Sequence, residues 1–142
     1  MTIALAIAGG GIGGLAAAFA CRRAGCDVQV LEQARAFSEV GAGIQLGPNV
    51  TRVLHGWGLG ARLDDLSAAP QALVVRDAAR GRELGRMQLG GAFSARYGAP
   101  YLTIHRADLQ RLLLEAARSA GAKLRLEARV AGVEADDSKV TL

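Results

Sequence analysis

The sequence of 142 residues has few aromatic residues, only two cysteines and no long apolar run. Aromatic residues make up 4% of it, which is too few for the stacking platform that single-stranded nucleic acids need. The 17 lysines and arginines are scattered rather than gathered in a run, so no nucleic-acid-binding stripe is expected. Neither a membrane span nor a secretory signal peptide is apparent. We therefore expect a globular cytoplasmic protein.

A metal site is not expected either, because the candidate ligands are few and irregularly spaced. Cys21 and Cys26 do not form a C-x-x-C pair, and His55 and His105 are distant in sequence. The cysteines are interpreted as small packing residues in a reducing compartment. A structural role is favoured for both histidines, since no orienting acid adjoins either of them. The sequence therefore identifies no catalytic residue.

The most informative feature is a glycine-rich turn directly after an apolar run at 3–7, which predicts a buried strand. Gly9, Gly11 and Gly14 have the G-x-G-x-x-G spacing of dinucleotide-binding folds. There the first glycine permits the tight turn, the second lets the backbone approach a pyrophosphate, and the third lets the helix pack close to the strand. The amides and dipole at the start of the helix favour a bound anion.

The next segment completes a β-α-β unit. Residues 15–25 predict a helix, and residues 28–31 predict a second strand that is followed by Glu32. Glu32 lies 18 residues after Gly14, close to the spacing at which a carboxylate accepts both hydroxyls of an adenosine ribose. With all these elements in register, a nucleotide site is favoured over a glycine-rich turn beside a solvated glutamate.

The remaining elements are less regular. Segments 72–77 and 83–89 predict an antiparallel hairpin, at about 71–89, inserted into the nucleotide fold. Residues 35–50 are expected to form a loop in which Asn49 could cap a helix over 50–57. We further expect a turn of helix over 61–66, a loop over 90–100, a strand over 101–105, a helix over 106–120, strands over 123–127 and 130–134, a turn over 136–138 and a strand from 139 to 142.

Three blocks together resemble the N-terminal part of class A flavin-dependent aromatic monooxygenases, the group of salicylate hydroxylase and para-hydroxybenzoate hydroxylase. They are IAGGGIGGL at 7–15, LEQ at 31–33 with GAGIQLGPN at 41–49, and HRADL at 105–109. The first block is generic to many FAD and NAD proteins, whereas the three in this order and spacing are specific. The resemblance covers essentially the whole chain.

This resemblance implies FAD as the cofactor and assigns contacts to it. The glycine loop would meet the pyrophosphate, Glu32 the adenosine ribose, and the Val130 backbone the adenine. Arg106 would reach the FAD phosphates or ribityl chain, although a surface arginine at a helix N-terminus is the alternative. The expected cofactor-binding residues are Gly9, Gly11, Ile12, Gly13, Gly14, Glu32, Gln33, Gly43, Ile44, Arg106, Gln110 and Val130.

The activity implied by the resemblance is hydroxylation of a phenolic or aromatic acid with NADH or NADPH and oxygen. Two alternatives stay open: another FAD enzyme of the superfamily, such as a halogenase, epoxidase or isoprenoid reductase, and a non-catalytic nucleotide-binding fragment. An NAD-dependent dehydrogenase is disfavoured, because the hairpin at 71–89 interrupts the regular alternation of strand and helix.

The expected fold class is therefore α/β: a Rossmann-like FAD-binding β-α-β fold with an inserted antiparallel hairpin, incomplete over residues 1–142. Family members continue well past this length, so a C-terminal substrate domain is expected to be absent from this chain. Such a chain alone is expected to hold FAD weakly, to be inactive as a hydroxylase, and to self-associate into a homo-oligomer through exposed apolar surface.

Overall fold

Ten strands and five helices are found within residues 2–37, 41–136 and 139–141, the part of the chain that the computed structural model describes. The chain divides into a first unit, residues 1–39 with 110–142, and a second unit, residues 40–109. In chain order the elements are β1 (Ala4–Ala8), α1 (Ile12–Arg23), β2 (Asp27–Leu31), β3 (Gly43–Leu46), α2 (Pro48–Gly56), α3 (Gly60–Leu66), β4 (Ser67–Ala68), β5 (Ala72–Arg76), β6 (Glu83–Gln88), α4 (Gly91–Tyr97), β7 (Leu102–His105), α5 (Arg106–Ser119), β8 (Lys123–Arg125), β9 (Glu134–Ala135) and β10 (Val140–Thr141).

The first unit contains the predicted β-α-β arrangement. Strands β1, β2 and β8 form a parallel sheet in the order β1-β2-β8, with Ile7 opposite Val30. Val28 and Val30 of β2 lie on the same face of the strand, toward the core, and are 1% and 0% exposed. Leu15 of α1 is fully buried as well, so the helix covers apolar side chains of its own unit. Strands β9 and β10 make a short antiparallel pair in the same unit.

Arg22, near the end of α1, connects this helix to the start of β2 and to the residue that follows α5. Its Nε donates to the Ala120 carbonyl at 2.9 Å and its Nη1 to the Cys26 carbonyl at 2.8 Å. Asp27 pairs with both Arg22 and Lys123, and the hydrogen bond from Lys123 is the main reason why the pKa of this carboxyl lies below its usual value. Charged side chains thus join the amino-terminal ends of β2 and β8, at the end of the sheet opposite the glycine turn.

The second unit is built on antiparallel strands. β3 and β4 flank β7, with both Ile44 and Ser67 paired to Ile104. The hairpin expected at 71–89 is formed by β5 and β6, with an irregularity between Val75 and Arg76. Several apolar side chains of this hairpin are exposed: Val74, Val75, Leu84 and Met87.

The expectation that segments 35–50 and 90–100 form loops is wrong. The segment 35–50 contains strand β3, which exists because its backbone pairs with β7. The segment 90–100 contains helix α4, which ends at Tyr97 and is capped by Gly98 in a left-handed conformation with a φ of +74°. The expected cap at Asn49 is wrong too, since α2 begins at Pro48 after Gly47 and has no side-chain cap.

The C-terminal strands are shorter than expected. β8 ends at Arg125, and Glu127 has a φ of +52°, which an extended strand does not tolerate. The strand expected over 130–134 is wrong, because only Glu134 and Ala135 pair in a ladder. β10 confirms the start of the last expected strand, while residues 137, 138 and 142 lie outside the described residues. None of the helices in the described ranges could span a bilayer, being too short or too polar.

Candidate functional site

The turn after β1 has the conformation that its first glycine predicts. Gly9 has a φ of +106°, a region that L side chains rarely adopt. Its amide donates to the Leu31 carbonyl at 2.8 Å, which joins the turn to the end of β2. The carboxyl ends of two parallel strands therefore meet at this turn, the usual location of ligand sites in such sheets.

The third glycine of the motif allows the helix to approach the turn. A Cβ atom on Gly14 would overlap the Gly9 carbonyl oxygen and lie 3.4 Å from a methyl group of Ile7. A Cβ atom on Gly13, by contrast, would meet no heavy atom within 4 Å. The spacing of the motif thus has a steric reason at Gly14 that Gly13 does not share.

The N-terminus of α1 is arranged to receive an anion. Gly11 caps it with extended backbone and no side-chain hydrogen bond, and the first turn carries no acidic residue. The Leu15 amide makes the first helical bond, to the Gly11 carbonyl, at 2.9 Å. The amides of Ile12, Gly13 and Gly14 precede it and have no acceptor within the helix, so their partial positive charge faces outward.

Glu32 lies at the end of β2 and is tied to the glycine loop. Its Oε2 accepts a hydrogen bond from the Gly10 amide at 2.6 Å, and its Oε1 accepts one from the Ala34 amide at 2.8 Å. A carboxylate has about four acceptor positions, so two remain for a ligand's hydroxyl groups. Glu32 can therefore hold the loop and a ribose at the same time.

The bonds from Ala34 and then Gly10 lower the pKa of Glu32 below the ordinary glutamate value, and partial burial opposes them. Because the pKa of Glu32 is lower in the folded protein, its ionised carboxylate contributes to the free energy of unfolding. This contribution is complete above the ordinary pKa of about 4.3 and is lost as pH falls through the lowered value. Glu32 is thus ionised at neutral pH, in the form that accepts hydrogen bonds.

A cleft of about 370 Å³ opens beside this turn, entirely within the first unit. Four predicted residues line it: Gly9, Glu32, Gln33 and Val130. Four further residues were missed: Ala8, Leu31, Ala128 and Arg129. The Ala128 amide donates to the Glu32 carbonyl at 2.9 Å, and this bond draws residues 128–130 to the cleft. The sequence pattern did not indicate this bond, because residues 128 and 129 lay between the strands expected over 123–127 and 130–134.

Gln110 also belongs to the first unit. It is 6% exposed, and its Nε2 donates to the Gly10 carbonyl at 3.2 Å. Among the described side chains, buried polar residues are rare: Gln110 shares this status with Thr51. The resemblance pointed to the position, but not to the contact with the loop.

Three predicted residues lie together in the second unit. Gly43 begins β3 opposite His105, and Ile44 pairs with Ile104. Arg106 follows directly in α5, with its amide donating to the Ala42 carbonyl at 3.3 Å. These positions therefore lie where β3, β7 and the start of α5 meet.

The expectation that no acid adjoins either histidine is wrong for His55. Its Nε2 lies 3.2 Å from the Asp64 Oδ1 on neighbouring helices of the second unit. Both side chains are partly exposed, at 33% and 54%, as in a surface pair. The turn between α2 and α3 brings them together, which the sequence spacing alone did not reveal.

Fold and turn together define an α/β protein with a Rossmann-like dinucleotide site. Residues 2–142 match the family described as FAD binding domain, and the chain belongs to this family. FAD is thus the cofactor of the class, which agrees with the expectation from the three sequence blocks.

The relatives are flavin monooxygenases. Over 137 residues the chain is 43% identical to 3-hydroxybenzoate 6-hydroxylase of Polaromonas naphthalenivorans (strain CJ2), covering 96% of this chain and 34% of the relative. It is 42% identical over 138 residues to 6-hydroxynicotinate 3-monooxygenase of Bordetella bronchiseptica (strain ATCC BAA-588 / NCTC 13252 / RB50), covering 97% and 36%. The chain therefore spans about a third of the length of these relatives.

A solved structure gives the same picture. The crystal structure of Klebsiella pneumoniae HpxO complexed with FAD and uric acid superimposes with a TM-score of 0.82 at 27% identity. The match covers 97% of this chain and 34% of that chain. The α/β, Rossmann-like fold class is confirmed.

Proposed function

We propose that the cleft of the first unit receives the adenosine half of FAD, with the pyrophosphate at the N-terminus of α1. The observation that carries this is the placement of an ionised Glu32 between the glycine turn and the cleft. The backbone of Gly9, Gly11, Ile12, Gly13 and Gly14 would enclose the phosphates. Gln33 and Val130 would flank the adenosine, since both line the same cleft.

For the second unit we propose contacts to the flavin half of FAD. Gly43 and Ile44 would present backbone groups near the ribityl chain or the flavin. Arg106 would pair with a phosphate or a ribityl hydroxyl, and a bound phosphate would offset the unfavourable position of a cation at the start of a helix. FAD, when bound, supplies the redox chemistry, while these residues bind and orient it.

For the whole protein we propose an FAD-dependent monooxygenase that hydroxylates a small aromatic acid with NADH or NADPH and oxygen. The names of the relatives at 43% and 42% identity support this, since both act on a hydroxylated aromatic acid. No catalytic residue is assigned within this chain, and a homo-oligomer stays a prediction.

The purified whole protein is expected to carry oxidised flavin, visible directly in its absorption spectrum, whereas the chain of 142 residues alone is expected to hold FAD weakly. NADH or NADPH oxidation should be stimulated by 3-hydroxybenzoate or 6-hydroxynicotinate, with a hydroxylated product detected by mass spectrometry. A protein without flavin that also fails to take up added FAD would refute the cofactor site. Stimulated oxidation without a hydroxylated product from either acid would refute the proposed reaction.

Replacing Glu32 with alanine should weaken ADP binding by about 1–3 kcal/mol, because hydrogen bonds to a charged group are lost. The measurement is calorimetric titration with ADP, and Glu134→Ala serves as the control because Glu134 is an exposed acid of β9. An ADP affinity unchanged in Glu32→Ala would show that the ribose lies elsewhere.

A further inference from the structure

Gly10 is held from both sides by side chains distant in sequence. Its amide donates to Glu32 at 2.6 Å, and its carbonyl accepts a hydrogen bond from the buried Gln110 at 3.2 Å. The ring of Phe37 lies against it so closely that a Cβ atom on Gly10 would overlap the ring. The middle of the glycine loop is therefore fixed by three side chains of the first unit.

This arrangement divides the loop amides into two groups. The Gly10 amide is already bonded to Glu32, so it is not the group that faces an anion. Across a trans peptide the carbonyl and the following amide point in opposite directions. Because Gln110 binds the Gly10 carbonyl, the Gly11 amide of the same peptide must point away from Gln110. Gly11 directly precedes α1, so its amide adjoins the helix amides that have no acceptor within the helix.

We propose that Gln110 is a positioning residue, whose amide sets the Gly10–Gly11 peptide so that the Gly11 amide can bind the pyrophosphate. This rests on the proposed function, in which the glycine loop meets FAD. It replaces the expected direct contact between Gln110 and the cofactor with an indirect one. An amide donor is required here, because a carbonyl oxygen can only accept.

The first test is Gln110→Met, which keeps the length of the side chain and removes the donor. ADP and FAD should bind about 5- to 20-fold more weakly, corresponding to the net value of about one hydrogen bond or slightly more. Adenosine, which lacks phosphates, should bind within about twofold of the wild type, because Glu32 and the cleft are unchanged. A purely structural role of Gln110 would weaken all three ligands equally.

Gln29→Met is the matched control, since Gln29 is an exposed glutamine of β2 outside the cleft. It should leave the affinities for ADP and adenosine unchanged. A second variant, Gln110→Asn, keeps a buried amide on a stem one methylene shorter and should show the same selective loss of ADP affinity. Because Gln110→Asn keeps a polar amide, a loss of ADP affinity in both variants would show that the amide must reach the Gly10 carbonyl, and that a polar side chain alone is not sufficient.

Equal losses of ADP and adenosine affinity, or no loss of either, in both Gln110 variants would overturn the positioning role. Selective loss of ADP affinity would support it. Failure of the wild-type protein to bind ADP and FAD would instead refute the proposed function, so the two failures are distinguishable. Affinities are measured by calorimetric titration of the purified protein.

Discussion

Gly14→Ala is expected to abolish FAD binding and to lower the free energy of unfolding by about 3 kcal/mol, the upper end of the cost of overpacking. The added methyl group would overlap the Gly9 carbonyl oxygen, which is backbone and cannot rotate away as a side chain could. To accommodate it, α1 must move away from β1 or the turn must change its shape. Either change displaces the amides that are proposed to hold the pyrophosphate.

The neighbouring variant Gly13→Ala is the matched control for stability. A Cβ atom there meets nothing within 4 Å, and alanine is the better helix former, so the protein should be more stable by about 0.5–1 kcal/mol. Chemical denaturation measures both variants, and FAD uptake is followed for Gly14→Ala. If Gly14→Ala were as stable as the wild type, close packing of α1 on the turn would not explain the motif.

The β-α-β unit could be predicted because its signals are local. Val28 and Val30 alternate with polar neighbours, and the structure buries both of them. The conformation of Gly9 and the overlap at Gly14 follow from a spacing of a few residues. Turn, helix and strand each carry their own pattern, so no distant contact was needed to recognise them.

The missed elements β3 and α4 carry only weak local signals. β3 is four residues long and is extended because it pairs with β7, some 60 positions later. α4 contains a glycine at its first position and has no side-chain cap, so its sequence resembles a loop. For β3 the pairing with a distant strand outweighs the weak local preference, whereas α4 was missed because its own sequence carries few helix signals.

The candidate site shows the same division. Glu32 was found from its distance to Gly14, whereas Arg129 was missed because a single backbone bond between Ala128 and Glu32 brings its segment to the cleft. The contact of Gln110 with Gly10 spans 100 positions and leaves no periodic trace in the sequence. Spacing therefore predicts the site residues that belong to the local β-α-β pattern, whereas residues brought to the site by a distant contact are recognised only in the folded structure.

Gly11→Val is expected to weaken FAD binding by about 100-fold or more while the fold persists. Gly11 has a φ of −73° and a ψ of −178°, an extended conformation that valine adopts readily. Exchanging a glycine cap for valine should cost the helix only about 1 kcal/mol. The branched side chain would, however, occupy the space in front of the free amides, where the pyrophosphate is proposed to lie.

Gly90→Val provides the comparison that separates a capping effect from a binding effect. Gly90 caps α4 with a φ of −71° and a ψ of −156°, nearly the same backbone as Gly11, but it belongs to the second unit. Its Cβ atom would lie 3.2 Å from the end of the Gln71 side chain, which can move. Both variants should lose similar stability in thermal unfolding, yet Gly11→Val alone should lose FAD in calorimetric titration. Equal FAD affinity in the two variants would mean that the pyrophosphate does not approach Gly11, and the phosphate site would have to be sought outside the glycine turn.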